Sequence, residues 1–317
     1  SEFIGIGAAA ELFGLNKYFV VPLAAVMVWY LVVLGNYAQV EKIFLLMTLV
    51  FFAYPIAVFL AKPDWRAVLG GAVIPKIQRN ADYITLLVAL IGTTITPYMQ
   101  LFQQSSVVER GAARRHYGTE RIDAYAGSIF SNVMSIFMII ATAATLHRIG
   151  KTEIETAADA ARALEPVAGH SAGVIFAIGL FGASMLAAAV LPLATSYAVS
   201  EAFGFAKGVN LDFRRARIFF SLFTGLVLLG AALALIPHLP IIQLLVGIQV
   251  LNGALLPVIL LFVLFLINDA NLTGELKNTR FYNYLGWGTF ALVTTAVVLM
   301  FGSQLLSLLG LNPWGNP

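Results

Sequence analysis

The sequence predicts an all-α integral membrane protein, and two observations support that prediction. Of the 317 residues, 60% are hydrophobic and only 11% are charged, with a mean hydropathy of +0.87. Soluble domains, by comparison, carry about 25% charged residues. The apolar residues also fall in runs close to the roughly 20 residues that an α-helix needs to cross a bilayer. We therefore expect a multi-pass protein surrounded by the lipid bilayer.

Nine apolar segments, separated by polar or basic connections, define the predicted topology. The first is short and begins as the inside of a helix, without a cap or a preceding loop, so we expect an N-terminal part to be absent. All nine are predicted to be helices of a single transmembrane domain covering residues 1–317. The predicted segments are 2–15, 18–34, 40–61, 83–108, 124–146, 173–203, 218–236, 241–267 and 284–309.

Composition and motifs also exclude several classes of function. The chain has no cysteine, which excludes disulfide frameworks and Cys-ligated metal sites. The net charge is only +3, and the basic residues lie in short loops, which indicates contact with a membrane surface and not with nucleic acid. The G-x-S-x-G spacing at Gly169–Gly173 leads into a membrane helix and not into a strand–turn–helix unit, so Ser171 is better interpreted as an N-cap. We expect neither enzymatic activity nor a cofactor.

The fourth segment contains the most informative stretch, because its helical pattern is interrupted. Gly92, Thr93, Thr94 and Thr96 precede Pro97 where a plain span would carry Leu and Val. Proline removes a backbone donor and clashes with the preceding turn. A break at membrane depth is tolerated where it lines a cavity, and broken helices form the substrate sites of secondary transporters. The alternative is a proline kink in a buried helix, since proline is common in membrane helices.

Further polar side chains accompany this break and are candidates for a wet cavity. Gln100 follows within one turn and is interpreted as cavity-lining. Gln249 and Asn252 are spaced i, i+3, so they share a helix face. Hydrogen bonding between helices is the alternative explanation for this pair. Asn132 in the fifth segment carries the same ambiguity.

Two glutamates are candidates for carboxylates inside the membrane, where an ionisable group is a functional-site hypothesis by default. Glu2 lies at the start of the first segment, and Glu201 lies at the end of the sixth, close to Gly204. We interpret Glu201 as a solvated residue at the membrane interface.

Four stretches of the chain resemble the Nramp family of divalent-metal transporters. GTTITPYMQLFQQSSVVERG is similar to the family's sixth segment, where the usual pattern is G-A-x-x-M-P-H. SEFIGIGAAAELFG, GLFGASMLAAAVLPLATSYAVSEAFGF and GIQVLNGALLPVILL resemble its third, eighth and tenth segments. The resemblance implies the LeuT-type fold of two inverted repeats, incomplete at the N-terminus because this chain corresponds to the third to eleventh segments. The family's Asp-Pro-Gly-Asn motif, which supplies a metal-binding Asp and Asn, does not occur here.

The resemblance also assigns roles to individual residues. The alanine whose carbonyl binds the metal corresponds to Thr93, and the metal-binding methionine corresponds to Thr96. The histidine linked to the proton path corresponds to Tyr98. The glutamine that can reach the metal corresponds to Gln249, and the acidic residue of the proton route corresponds to Glu2. The implied site thus has Thr93, Thr96 and Gln249 at the metal.

The departures from the family pattern suggest which ion is transported. A methionine thioether favours soft transition metals, whereas the Thr96 hydroxyl is a hard oxygen, which suits Mg²⁺. Tyr98 removes a group that titrates near neutral pH. Both changes resemble the Nramp-related magnesium transporter branch. We expect Mg²⁺ transport, with Mn²⁺ tolerated, by alternating access without proton coupling, in a monomer of a bacterial inner membrane.

Three alternatives remain open at this point. The nearest is a proton-coupled Mn²⁺ or Fe²⁺ transporter of the same family. A transporter of an aluminium complex or of another cation is the second, because it also lacks the methionine. The third is a truncated membrane protein that does not transport.

Overall fold

The computed structural model describes residues 1–34, 46, 49–74, 77–78, 80–109, 111–146, 150, 154, 157–164, 169–237 and 240–310. Within these ranges every regular element is helical, which confirms the predicted all-α class. The described residues include six helical stretches that are long and apolar enough to cross a membrane, which confirms a multi-pass membrane protein. These stretches are Ala81–Glu109, Arg114–Thr145, Ala172–Phe203, Arg217–Ala234, Ile241–Asn268 and Arg280–Leu308.

The α-helices are numbered here in chain order. They are α1 (Glu2–Leu12), α2 (Lys17–Val33), α3 (Ala53–Ala61), α4 (Trp65–Val73), α5 (Ala81–Thr94), α6 (Pro97–Glu109), α7 (Tyr117–Thr145), α8 (Ala157–Ala161), α9 (Ala172–Phe203), α10 (Arg217–Ala234), α11 (Ile241–Asn268), α12 (Ala270–Thr273) and α13 (Arg280–Leu308). Short 3₁₀ turns cover Leu49–Phe52, Arg114–His116, Arg162–Leu164, Gly169–Ser171 and Gly274–Leu276.

Two compact units make up the chain. Unit 1 comprises Ser1–Ile74 and Leu101–Ile242, and unit 2 comprises Pro75–Gln100 and Gln243–Pro317. Among the described residues, two apolar clusters lie in unit 1 and one lies in unit 2, and each is made mainly from the buried faces of helices. The single transmembrane domain covering all residues stays a prediction.

The main core of unit 1 lies between α1, α2, α9 and α10. Phe219, Phe220 and Phe223 of α10 are fully buried there, beside Ile6 of α1 and Met185 of α9. Helix α1 carries the run GIGAAA, whose small side chains allow α1 and α9 to approach closely, as is common between membrane helices. Consistent with that, a Cβ atom at residue 5 would collide with the Ser184 hydroxyl of α9.

A polar contact is embedded in the apolar surroundings of this core. The indole Nε1 of Trp29 on α2 donates to the Thr224 hydroxyl of α10 over 2.8 Å. That hydroxyl in turn donates to the carbonyl of Phe220, one turn earlier in α10. The bond satisfies the indole donor in a part-buried, largely apolar region, where an unpaired N–H would be costly.

Unit 2 is built from α5, α11 and α13. Ile84 and Val88 of α5 pack with Leu256 of α11 and with Val293 and Met300 of α13. All five side chains are at least nine-tenths buried. This cluster fixes α5 against the middle of α11, which determines where the end of α5 lies within the unit.

Several helix boundaries differ from the predicted segments. The predicted fourth segment, 83–108, contains the expected break and consists of two helices, α5 and α6, which together extend from Ala81 to Glu109. Helix α7 begins at Tyr117 and not at Ala124, since the polar stretch YGTERID continues the helix. Helix α4 lies in what the sequence suggested was a polar connection. It begins where Asp64 caps the backbone N–H groups of Arg66 at 2.9 Å and Ala67 at 3.4 Å. Most of the first part of the predicted third segment, at 40–45 and 47–48, lies outside the described residues.

Candidate functional site

The break between α5 and α6 lies where the sequence predicts it. Helix α5 ends at Thr94 and α6 begins at Pro97, with Ile95 in a non-helical conformation (φ −122°, ψ 80°). The last backbone bond of α5 runs from the N–H of Ile95 to the carbonyl of Ile91 over 2.9 Å. Pro97 is buried at the first helical position, where its missing N–H removes no helical bond. The break therefore separates two distinct helices, one ending at Thr94 and the next beginning at Pro97.

The end of α5 presents carbonyl oxygens beyond that last bond. Carbonyl groups at a helix C-terminus lack partners within the helix and carry the negative end of the helix dipole. The carbonyls of Gly92, Thr93 and Thr94 lie in this final turn. Such half-helix ends coordinate cations in transporters built from broken helices. Thr93 is exposed and Thr96 is half-buried, whereas the Thr94 hydroxyl bonds back to the Leu90 carbonyl over 2.7 Å.

A close crossing of two helix backbones fixes this turn against α11. A Cβ atom at Gly92 would collide with the backbone carbonyl of Gln249 and with the backbone amide of Gly253. A Cβ atom at Gly253 would collide with the backbone carbonyl of Val88. We call this contact the glycine crossing. Because Gly92 immediately precedes Thr93, the crossing brings the backbone turns that carry Thr93 and Gln249 together.

Gln249 and Asn252 form a hydrogen-bonded pair on α11. The Nδ2 group of Asn252 donates to Oε1 of Gln249 over 3.1 Å, and both side chains are half-buried. The prediction that they share one helix face is confirmed. The bond runs within α11 and not between helices, which the sequence alone could not distinguish. A carbonyl oxygen has two lone pairs, so Oε1 of Gln249 retains one for a ligand.

Two further candidate residues lie in the first turn of α6. Tyr98 is half-buried directly after Pro97. Gln100 is half-buried, and its Nε2 atom is buried without a hydrogen-bond partner among the described residues. A buried polar atom without a partner costs about 1–3 kcal/mol. Proteins retain such groups mainly where an ion, water or ligand completes them.

The candidate residues divide between the two units. Thr93, Thr96, Tyr98, Gln100 and Gln249 belong to unit 2, whereas Glu2 and Asn132 belong to unit 1. Glu2 is the first residue of α1, is half-buried, and accepts a hydrogen bond from the Ser1 hydroxyl over 3.0 Å. Asn132 is exposed on α7 and donates to the Ser128 carbonyl of the same helix over 2.8 Å.

A polar cluster in unit 1 was missed by the sequence reasoning. Glu201, interpreted as a solvated interface residue, instead binds Lys207 over 2.7 Å and accepts from the Ser105 hydroxyl over 3.0 Å. Ser105 is almost fully buried. The chain turns back after α9 at Gly204, in the left-handed conformation, so that Lys207 can reach Glu201.

A second carboxylate holds the same loop. Oε1 of Glu109, the last residue of α6, accepts from the backbone N–H of Val209 over 3.0 Å and from Nδ2 of Asn210 over 3.4 Å. The Val209 N–H also lies 3.2 Å from the Tyr197 hydroxyl of α9. Within unit 1, the end of α6 and the loop after α9 are therefore joined by two glutamates.

Comparison with known proteins places this architecture in a family. Residues 1–303 match the family described as "Natural resistance-associated macrophage protein-like", or Nramp. The chain belongs to the Nramp family. The family consists of all-α membrane transporters, in agreement with the helical architecture described above.

Relatives that the chain resembles include bacterial proteins named "Divalent metal cation transporter MntH". The Klebsiella pneumoniae protein is 27% identical over 246 residues, which cover 77% of this chain and 56% of the relative. The Ralstonia nicotianae protein is 28% identical over 291 residues, which cover 84% of this chain and 62% of the relative. The Clostridium acetobutylicum protein is 25% identical over 254 residues. The chain thus spans only about three fifths of the length of these relatives.

Proposed function

We propose that this protein transports divalent metal ions across the membrane and that the break between α5 and α6 contributes to the ion site. The glycine crossing is the single observation that carries the proposal. It joins the carbonyl end of α5 to the turn of α11 that carries Gln249. In addition, the relatives are named divalent metal cation transporters. The metal ion is then the substrate of a monomeric transporter without a resident cofactor.

The donor set favours Mg²⁺ as the substrate. The carbonyl of Thr93, the hydroxyl of Thr96 and Oε1 of Gln249 are all neutral, hard oxygen groups. Mg²⁺ prefers oxygen ligands and gives up its water reluctantly, so it binds with several waters still attached. Oxygen groups that accept hydrogen bonds from these waters suit such an ion. Mn²⁺ also accepts oxygen ligands, which explains why we expect it to be tolerated.

Tyr98 is the residue that supports transport without proton coupling. Tyr98 occupies the position where the family pattern has a histidine, and a tyrosine does not titrate near neutral pH. A divalent cation entering a cell with a negative interior gains about 4.6 kcal/mol per 100 mV, twice the value for a single charge. This electrical gradient suffices to drive uptake by alternating access.

A proton-coupled Mn²⁺ or Fe²⁺ transporter is the second candidate. Glu2 favours it, because a half-buried carboxylate is retained where the resemblance implies the acidic residue of the proton route. The two candidates differ in one measurable quantity, which is proton movement during metal uptake.

Flux into liposomes tests the proposal. The full-length protein is reconstituted with an internal Mg²⁺ indicator, and a parallel sample carries a pH indicator. We expect Mg²⁺ and Mn²⁺ uptake that responds to membrane potential and is not accompanied by acidification. Mn²⁺ uptake with acidification and without Mg²⁺ uptake would establish the second candidate instead.

Two threonine variants test in the same assay whether the Thr96 hydroxyl belongs to the ion site. Thr96→Val removes the proposed hydroxyl and should reduce Mg²⁺ uptake. Thr94→Val is the matched control, because the Thr94 hydroxyl is bonded to its own helix. Unreduced Mg²⁺ uptake by both variants would exclude the Thr96 hydroxyl from the ion site.

A further inference from the structure

Asn252 lies one turn after Gln249 on α11, and both side chains are half-buried. The family resemblance assigns a role to Gln249 but none to Asn252. In the structure, Nδ2 of Asn252 donates to Oε1 of Gln249 over 3.1 Å. This oxygen is the atom through which Gln249 would meet a metal ion or its water. Asn252 therefore touches the proposed ligand atom itself.

The position of Asn252 makes it a firm anchor for this bond. It immediately precedes Gly253, whose backbone is pressed against the Val88 carbonyl in the glycine crossing. The bond to Gln249 spans one turn of the same helix, so the backbone hydrogen bonds of α11 fix the separation of the two residues. Asparagine also has fewer rotatable bonds than glutamine, so it is the less mobile partner of the pair.

The bond has a chemical consequence for Gln249. A glutamine amide presents an acceptor oxygen on one side and a donor NH₂ group on the other. Only the oxygen can bind a cation or accept from a metal-bound water. In the structure Asn252 is the donor, so the bond holds Oε1 of Gln249 toward Asn252 and leaves one lone pair of that oxygen free. Without this bond the amide can rotate, and part of the population presents the wrong group.

We propose that Asn252 is a positioning residue of the ion site, which holds the Gln249 amide in the orientation that binds a hydrated divalent cation. The inference rests on the proposed function, because it requires Gln249 to belong to the site. Asn252 acts only through Gln249 and does not need to touch the ion.

A double-mutant cycle tests the inference in the full-length protein. The variants are Asn252→Leu, Gln249→Ala and the double substitution, and the measured quantity is the Kd of Mn²⁺ in detergent, followed by the KM of Mg²⁺ uptake in liposomes. We expect Asn252→Leu to weaken Mn²⁺ binding about threefold to tenfold, the size of one hydrogen bond. In the Gln249→Ala background the same substitution should change nothing, because its target is gone.

One control and one alternative variant separate an effect on the position of Gln249 from an effect on folding. Asn268→Leu removes another amide pair of the same helix, in which Nδ2 of Asn268 donates to Oδ1 of Asn283 over 2.8 Å. It should lower thermal stability while leaving the Kd of Mn²⁺ unchanged. If the leucine at position 252 prevents folding, Asn252→Ala, which is smaller than the native residue, carries the same cycle.

The outcomes distinguish the role of Asn252 from the role of Gln249 in ion binding. If Asn252→Leu weakens Mn²⁺ binding equally in both backgrounds, or in neither, the positioning role is overturned. The proposed ion site still stands in that case, provided that Gln249→Ala alone weakens Mn²⁺ binding. Unchanged binding in Gln249→Ala overturns the proposed site, and the positioning role with it.

Discussion

Adding a single methyl group at Gly253 tests the glycine crossing directly. The new Cβ atom of Gly253→Ala would lie 2.8 Å from Cγ1 of Val88 and collide with the carbonyl of the same residue. Carbon atoms prefer a separation of about 3.5–4.0 Å, so α5 and α11 must move apart by about 1 Å. Overpacking of this kind costs about 1–3 kcal/mol. Alanine recovers about 1 kcal/mol through its better helix propensity, so the net loss is at most about 2 kcal/mol.

The same displacement should affect ion binding more strongly than stability. It moves the turn of Gln249 away from the end of α5, where Thr93 presents its carbonyl. A misplacement of 1 Å costs up to about 100-fold in a preorganised site. We therefore expect the Kd of Mn²⁺ to rise between about tenfold and 100-fold. Isothermal titration in detergent measures this change, and thermal unfolding measures the stability.

Gly247→Ala is the matched control on the same helix. A Cβ atom there meets nothing within 4 Å, so the substitution brings only the gain in helix propensity, up to about 1 kcal/mol. The test is the difference between the two stability changes, which should be about 1–3 kcal/mol in favour of Gly247→Ala. If both variants are equally stable and bind Mn²⁺ equally well, the two backbones do not touch as described and the reasoning fails.

Three further substitutions have defined outcomes. Thr96→Met exchanges a hard oxygen for a soft thioether and should raise the preference for Mn²⁺ or Cd²⁺ over Mg²⁺ about tenfold in competition uptake, whereas an unchanged preference would exclude Thr96 as a ligand. Thr224→Val leaves the Trp29 indole without its acceptor and should cost about 1–3 kcal/mol of unfolding free energy without changing ion affinity. Glu109→Ala should accelerate hydrogen exchange at the Val209 amide, whereas unaltered exchange would show that the Tyr197 hydroxyl and not Glu109 protects this amide.

Local rules were sufficient for part of the structure. Pro97 and the preceding threonines predicted the helix break, because proline cannot continue a helix and fits the first position of the next one. The i, i+3 spacing predicted the shared face of Gln249 and Asn252. In both cases the relevant partners lie within one or two turns of the same chain segment, so no tertiary information was needed.

Other features depend on long-range pairing and could not be predicted. The glycine crossing joins residues about 160 positions apart, and neither glycine has a local signal that names its partner. The bond between Ser105 and Glu201 is likewise long-range, and the Lys207 bridge requires the reversal at Gly204. Helix α4 was overlooked because Gly70 and Gly71 lower its helix propensity, although the Asp64 cap marks its start.

The length of α7 determines how deeply unit 1 can sit in the bilayer. Its 29 residues extend for about 44 Å, whereas the hydrocarbon core is about 30 Å thick. The apolar part from Ala124 to Thr145 extends for about 33 Å and fills the hydrocarbon by itself. The first two turns must therefore project among the lipid headgroups, where the Arg121 guanidinium lies 5.8 Å from the centre of the Tyr125 ring. Cationic and aromatic side chains prefer this interfacial zone. The pair therefore anchors the start of α7 at the membrane interface and resists movement of the helix along the membrane normal.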